Sequence, residues 1–194
     1  MRMTAVVIAG GKSRRMQTDK AFVTIGGIPL IERVLQVITP LFSEILINSN
    51  TPDAYAAWNI PVVPDILPHK GALGGIYTAL THSTSEYTFC VACDMPLLNA
   101  EFIRFMQNYV QGYDALIPRT PDGFHPLHAI YAKRCCQVIP ELLAHDRLKI
   151  SNLFDLVHTR YVMPSYMRQF DPELEFFTNL NTLEEVENLR KRLR

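Results

Sequence analysis

A continuous apolar run near the amino terminus, Thr4-Ala5-Val6-Val7-Ile8-Ala9, stops at two glycines, Gly10 and Gly11. It lacks the alternation of a strand with one wet face, so it reads as a strand covered on both sides, the pattern of parallel sheets. Parallel strands cannot be joined by a tight hairpin; each needs a crossover, usually a helix. The rest of the chain supplies them. Leu30, Val34, Leu35 and Ile38 recur at helical spacing behind Pro29, a good first-turn residue. Ile45-Leu46-Ile47 and Ile60-Pro61-Val62-Val63 read as the next strands, and Gly74-Gly75 opens a helix through Ile76, Ala79 and Leu80. Phe89 to Cys93 reads as a central strand, followed by a helix around Phe102, Phe105 and Met106. Asp114 to Ile117 and His128 to Tyr131 are further strands, with Pro121-Asp122-Gly123 as the turn, forming an antiparallel excursion beside the main sheet. Leu183, Val186, Leu189 and Leu193 mark a closing helix, with a capping box from Thr182 to Glu185. This alternation predicts a three-layer α/β/α fold with a mostly parallel central sheet, in one domain over residues 1–194.

Nineteen basic and nineteen acidic side chains cancel, so no global field draws the chain to nucleic acid or membrane. Affinity for phosphates must be local. No apolar run approaches the ~18 residues of a bilayer span. The start carries no signal-peptide pattern, and a cytoplasmic address is expected. Cys90 and Cys93 form a C-x-x-C, but on a strand residues three apart face opposite sides and cannot pair or share a metal. Cys135 and Cys136 sit in a helical pattern, and buried structural thiols are expected.

Chemistry concentrates in two segments. Behind Gly10-Gly11 come four cations within nine positions, Lys12, Arg14, Arg15 and Lys20. Glycine lets backbone approach a ligand closely, and successive N–H groups in such a loop form an anion-binding concavity. Two familiar phosphate loops fail. A P-loop ending at Gly11-Lys12-Ser13 would need glycine at position 6, which is Val6, and there is no G-x-G-x-x-G. A tight turn before a solvated basic helix is the competing reading. The second segment is Cys93-Asp94-Met95-Pro96. A carboxylate at the carboxyl end of a buried strand lies where open α/β sheets bind ligands, and it suits Mg²⁺, which takes one or two carboxylates plus substrate phosphates. Taken alone, Asp94 reads rather as a helix N-cap; paired with the basic glycine loop, it reads as the ligand.

Together these segments resemble the molybdenum cofactor guanylyltransferase family. The signature runs Ile8-Ala9-Gly10-Gly11, Ser13, Arg15-Met16 and Asp19-Lys20, and continues with Asp94 in Cys-Asp-Met-Pro. Gly71 to Gly75, His125-Pro126-Leu127-His128-Ala129-Ile130-Tyr131 and Asn179-Leu180-Asn181-Thr182 extend it over essentially the whole chain. The resemblance implies a Rossmann-like nucleotidyltransferase fold and the transfer of GMP from GTP to molybdopterin, with Mg²⁺ as cofactor. It also implies transient contact with molybdenum-insertion proteins or molybdoenzyme chaperones. By the same resemblance Ile8, Ala9, Gly10, Gly11, Ser13 and Lys20 hold the nucleotide, Arg15, Lys20 and Asp94 are catalytic, and Asp94 is the metal ligand. Asn48, Asp65 and Gly74 are further nucleotide positions. Asp65 would accept from guanine N1–H and N2–H, although Pro64-Asp65 is also an ordinary turn. Gly71 to Gly75 would read the base with backbone groups, or need glycine only for packing.

His125, His128, Asn179 and Asn181 are the implied acceptor-site residues. His128 has a structural reading at the start of an apolar strand, and Asn181 one beside the Thr182 cap. The asparagine tail is expected to follow a strand and to govern the pterin alone, leaving GTP to the glycine loop. Gln17 stands where the family usually has glycine, and Leu183 where it often has proline. The competing functions are a cytidylyltransferase acting on molybdopterin, which differs only in base recognition, another nucleotidyltransferase with a different phosphorylated acceptor, and a GTP-binding regulator without turnover.

Overall fold

The computed structural model describes residues 2–9 and 20–192. Within them the chain opens with β1 (Thr4–Ile8), every residue of which is buried. A small hairpin, β2 (Thr24–Ile25) and β3 (Ile28–Pro29), turns through Gly26 and Gly27, both at positive φ. Next come α1 (Leu30–Ile38), β4 (Glu44–Asn48), β5 (Val62–Val63) and α2 (Gly71–His82). The middle of the chain forms β6 (Tyr87–Ala92), α3 (Ala100–Tyr109), β7 (Ala115–Thr120), β8 (Gly123–Phe124) and β9 (His128–Ala132). It closes with α4 (Ile139–Ala144), α5 (Ser151–Phe154), β10 (Thr159–Val162), α6 (Pro164–Met167) and α7 (Leu183–Arg192).

The main sheet has the order β10-β7-β9-β6-β1-β4-β5, with β8 paired onto β7. All neighbours along this path are parallel except β9, which runs against both β6 and β7. The antiparallel segment expected beside the sheet is therefore inside it. Its apolar sequence explains this: all five residues of β9 are buried, as a central strand requires and an edge strand does not.

Period-two alternation divides the interior into two cores. Ala5, Val7, Ile47, Phe89 and Val91 face α1 and α3, where Ile31, Val34, Phe102 and Met106 meet them. Val6, Ile8, Leu46 and Cys90 face α2 and α4, against Leu73, Ile76, Leu80 and Leu142. Cys90 and Cys93 fall on opposite sides of the sheet, and none of the four cysteines forms a disulfide. A third, smaller cluster of Ile25, Leu30, Leu180, Val186 and Leu189 docks α7 onto the hairpin. No helix among the described residues is long and apolar enough to cross a membrane.

α2 begins at Gly71, at φ +59°, three residues before the expected start, so Gly74 and Gly75 lie inside the helix. A Cβ on Gly75 would stand 2.9 Å from Asn48 Oδ1 and 3.3 Å from Ile8 Cγ2. Glycine here lets the helix press against the ends of β1 and β4, the packing alternative read from the sequence. Because β1, β4, β5 and β6 run the same way, Ile8, Asn48, Val63 and Ala92 come out at one edge. β9 enters from that edge, with Ala92 N–H donating to Leu127 O at 3.0 Å.

Candidate active site

Three side chains from distant parts of the sequence converge at the carboxyl edge. Asp94 follows β6 directly, and its Oδ2 accepts from Lys20 Nζ at 3.1 Å. Lys20 Nζ also donates to Asn181 Oδ1 at 2.6 Å. Lys20 and Asp94 are 22% and 14% exposed, so the pair opens to solvent at one side and is enclosed at the other. The tail holding Asn181 is bolted to the same strand end, with Leu180 N–H donating to Asp94 O at 3.0 Å.

The capping box and the site share this tail without competing for it. The Glu185 carboxylate accepts from the backbone N–H groups of Asn181 and Thr182, and Thr182 Oγ1 accepts from Glu185 N–H. Asn181 thus gives its backbone to the cap and its side chain to Lys20. The tail follows a 3-10 turn, Glu175–Phe177, not the strand expected from sequence.

Asp94 Oδ1 is buried and has no hydrogen-bond donor among the described residues. A buried carboxylate oxygen left open is costly unless a cation or donor completes it. Asp94 is not the N-cap of α3: that place belongs to Asn99, whose side chain accepts from Phe102 N–H at 2.9 Å. A lone carboxylate with one open oxygen fits a hard cation that takes its other ligands from substrate phosphates. Among the described residues no group of three His, Cys, Asp or Glu side chains forms a metal cage.

Next along the edge stands a second polar group. Asn48, buried at the end of β4, donates from Nδ2 to Val63 O at 3.1 Å and to Asp65 Oδ1 at 3.0 Å. Asn50 donates to Asp65 Oδ2 at 2.9 Å and accepts from Asp65 N–H at 2.9 Å. Ile8 and Ala9 are buried beneath this edge, 6% and 7% exposed, and Gly74 and Gly75 lie in α2 beside it. Thr78 Oγ1 ties the start of the Asp65 loop to α2, accepting from Ile66 N–H and donating to Gly74 O, both at 3.0 Å.

The histidines separate. His125 stacks on Phe177, centroids 3.9 Å apart and planes 14° from parallel, and its Nε2 is 3.0 Å from Thr120 Oγ1. Partial burial lowers its pKa to about 4, so it is neutral near pH 7. His128 is wholly buried among Phe89, Phe102, Phe176 and Phe177, and burial lowers its pKa to about 3. The Phe176 backbone favours the protonated ring in part, yet neither ring nitrogen has a hydrogen-bond partner that meets distance and angle among the described residues. With no exposed surface His128 cannot touch an acceptor in this arrangement; the structural reading of its position replaces the ligand-binding one. Asn179 donates from Nδ2 to Phe177 O at 3.2 Å, which links the His125–Phe177 stack to the tail.

Gly10, Gly11, Lys12, Ser13, Arg14, Arg15, Met16, Gln17 and Asp19 lie outside the described residues. Sequence reasoning missed Asn50, Thr120 and Phe177. Only an asparagine two positions beyond Asn48, at the same strand end, hinted at the first.

A family model for the MobA-like NTP transferase domain matches residues 5–158. A protein of Natranaerobius thermophilus named "Probable molybdenum cofactor guanylyltransferase" is 36% identical, over 98% of this chain and 96% of its own. A "Molybdenum cofactor guanylyltransferase" of Desulfosudis oleivorans is 33% identical, over 95% of this chain and 93% of its own. Among solved structures, a "Molybdopterin-guanine dinucleotide biosynthesis protein A" from Archaeoglobus fulgidus superposes with a TM-score of 0.85 at 26% identity, covering 98% of each chain.

Proposed function

The chain belongs to the MobA-like NTP transferase family, and we propose that it acts there as a molybdenum cofactor guanylyltransferase, transferring GMP from GTP to molybdopterin with Mg²⁺ as cofactor. The observation that carries this is the meeting of Lys20, Asp94 and Asn181 at the carboxyl edge, with Asp94 Oδ1 buried and open among the described residues.

The reaction brings two anions together. A terminal phosphate oxygen of molybdopterin bonds to the α-phosphorus of GTP; the bond from that phosphorus to the bridging oxygen breaks, and pyrophosphate leaves. Positioning and charge neutralisation do most of such a transfer. Lys20 is the cation for the triphosphate, and Asn181 holds its ammonium in place without cancelling its charge. Asp94 is the residue that would hold Mg²⁺, which when bound supplies charge stabilisation between the α-phosphate and the leaving group. The attacking phosphate is already ionised near pH 7, so no general base is needed. Arg15 and the Gly10–Gly11 amides join this assignment from sequence alone.

Asp65 is the base-reading residue in this proposal. Its two carboxylate oxygens suit guanine N1–H and N2–H, whereas adenine presents an acceptor at N1. The tail, with His125 and Asn179 beside it, is assigned to the pterin. Incubating the purified protein with molybdopterin and each of the four Mg-NTPs, and identifying the dinucleotide formed, tests the whole reading. The guanine dinucleotide plus pyrophosphate is the expected product. The cytosine dinucleotide would establish the cytidylyl activity instead, and GTP binding without any product would establish a regulator.

A further inference from the structure

Asp65 does not stand free in its loop. Parallel pairing of β4 with β5 carries residues 48–50 alongside 63–65, with Ser49 N–H donating to Val63 O at 3.1 Å. Asn48 and Asn50 therefore both face Asp65, one for each carboxylate oxygen.

A carboxylate offers about four acceptor positions, two per oxygen. Asn48 Nδ2 takes one on Oδ1 and Asn50 Nδ2 takes one on Oδ2, so among the described residues each oxygen keeps one position open. The terminal torsion of an aspartate is soft, and a single tether at Oδ1 leaves the group free to swing about it. The second tether, at Oδ2, fixes the carboxylate plane. Asn50 is itself locked. Its Oδ1 accepts from Asp65 N–H, which assigns the oxygen of its amide and turns Nδ2 toward the carboxylate. The two residues thus form a reciprocal ring of two hydrogen bonds, although Asn50 is exposed and packs in neither main core.

We propose that Asn50 is a specificity-determining positioning residue, which orients the Asp65 carboxylate so that both open acceptor positions meet a base carrying two adjacent N–H donors. The inference rests on Asp65 reading the base. Two fixed acceptors discriminate where one mobile acceptor does not: guanine satisfies both, hypoxanthine lacks the 2-amino donor, and adenine leaves a charged oxygen facing an acceptor.

The test measures binding rather than transfer, so it does not depend on the acceptor. Calorimetric titrations of GTP, ITP and ATP are run on the unaltered protein, Asn50→Ala, Asn50→Asp and Asp65→Ala, with melting temperatures alongside. The unaltered protein should favour GTP over ITP by about tenfold, one hydrogen bond to a charged group. In Asn50→Ala that ratio should fall to about one or two, through weaker GTP binding with ITP nearly unchanged. Asn50→Asp keeps the acceptor for Asp65 N–H but sets a second carboxylate against the first, and should lose at least as much selectivity. If Asn50→Ala lowers the melting temperature or weakens all three nucleotides alike, with the GTP-to-ITP ratio kept, Asn50 only shapes the turn and the proposal is overturned. Asp65→Ala separates the two levels. A ratio kept in Asp65→Ala means the base is read elsewhere and the underlying assignment fails. A ratio lost in Asp65→Ala but kept in both Asn50 variants overturns the positioning role alone.

Discussion

Replacing Asn181 by alanine removes one contact and spares another. The lost contact is the 2.6 Å hydrogen bond from Lys20 Nζ to Asn181 Oδ1. The spared contact is the helix cap, because Asn181 reaches Glu185 through its backbone N–H, which alanine retains. A hydrogen bond to a charged group contributes about 1.5–3 kcal/mol. This one lies on the exposed side of Lys20, where solvent weakens it, so roughly 1–2 kcal/mol is the relevant range. Without Asn181 the ammonium is left to Asp94, and it must be drawn off that carboxylate before it meets phosphate. The dissociation constant for Mg-GTP should therefore rise roughly five- to thirtyfold, with the melting temperature unchanged. From sequence Asn181 is expected on the pterin side alone; under the proposed roles its contact with Lys20 would join it to both ligands. Titrating Mg-GTP and molybdopterin separately, and melting the same protein, checks this. Unchanged GTP binding with a raised molybdopterin requirement would refute the Lys20 argument and return the tail to the acceptor. A lower melting temperature with both ligands affected alike would make Asn181 a capping residue only.

Asp94→Asn should slow Mg²⁺-dependent transfer by ~10²–10⁴ while the circular dichroism spectrum stays native, and near-normal turnover would sink the metal-ligand assignment. Gly75→Ala places a methyl 2.9 Å from Asn48 Oδ1; overpacking of this kind costs about 1–3 kcal/mol, or roughly 3–10 °C in melting temperature for a chain of this length. An unchanged melting curve would show that α2 has room to move. For His128, whose folded pKa of about 3 lies below the ordinary 6.5, the unfolded chain takes up a proton the folded one refuses. Its stabilising contribution is complete above about pH 6.5 and is lost as pH falls toward 3, by up to ~1.4 kcal/mol per pH unit. His128→Leu should flatten that acid slope of denaturant stability; parallel slopes in the two proteins between pH 7 and 4 would refute it.

Whether a feature was legible in the sequence follows from the range of the interaction behind it. β1 and β6 announce themselves because every residue of each is buried, so apolar continuity is the local signature of their place in the sheet. Asp94 was legible because the end of a strand predicts the edge of a sheet. The same logic failed for β9: a turn and two apolar runs specify a hairpin, but not that other strands flank it on both sides. Gly74 and Gly75 looked like a helix start because glycine more often punctuates structure than packs, and only the approach of Asn48 and Ile8 reveals the difference.

The site shows the limit most clearly. Lys20, Asp94 and Asn181 each stand out in the sequence, but their spacings of 74 and 87 residues carry no information about contact. Assigning the tail to one ligand and the glycine loop to the other was reasonable for separated segments. The hydrogen bond from Leu180 N–H to the Asp94 carbonyl sets Asn181 against Lys20, so under the proposed roles the two segments meet. In the proposed function, a residue that touches Lys20 and belongs to the acceptor segment would link the two substrates. Lys20 can then be held ready by the tail before GTP arrives, and the tail adjusts when Lys20 turns to phosphate. Such an arrangement predicts that molybdopterin tightens GTP binding, and by thermodynamic reciprocity that GTP tightens molybdopterin binding by the same factor. Asn181→Ala should remove that mutual enhancement as well as weaken GTP binding itself. Equal GTP affinities with and without molybdopterin in the unaltered protein would show that the contact positions Lys20 without coupling the two ligands.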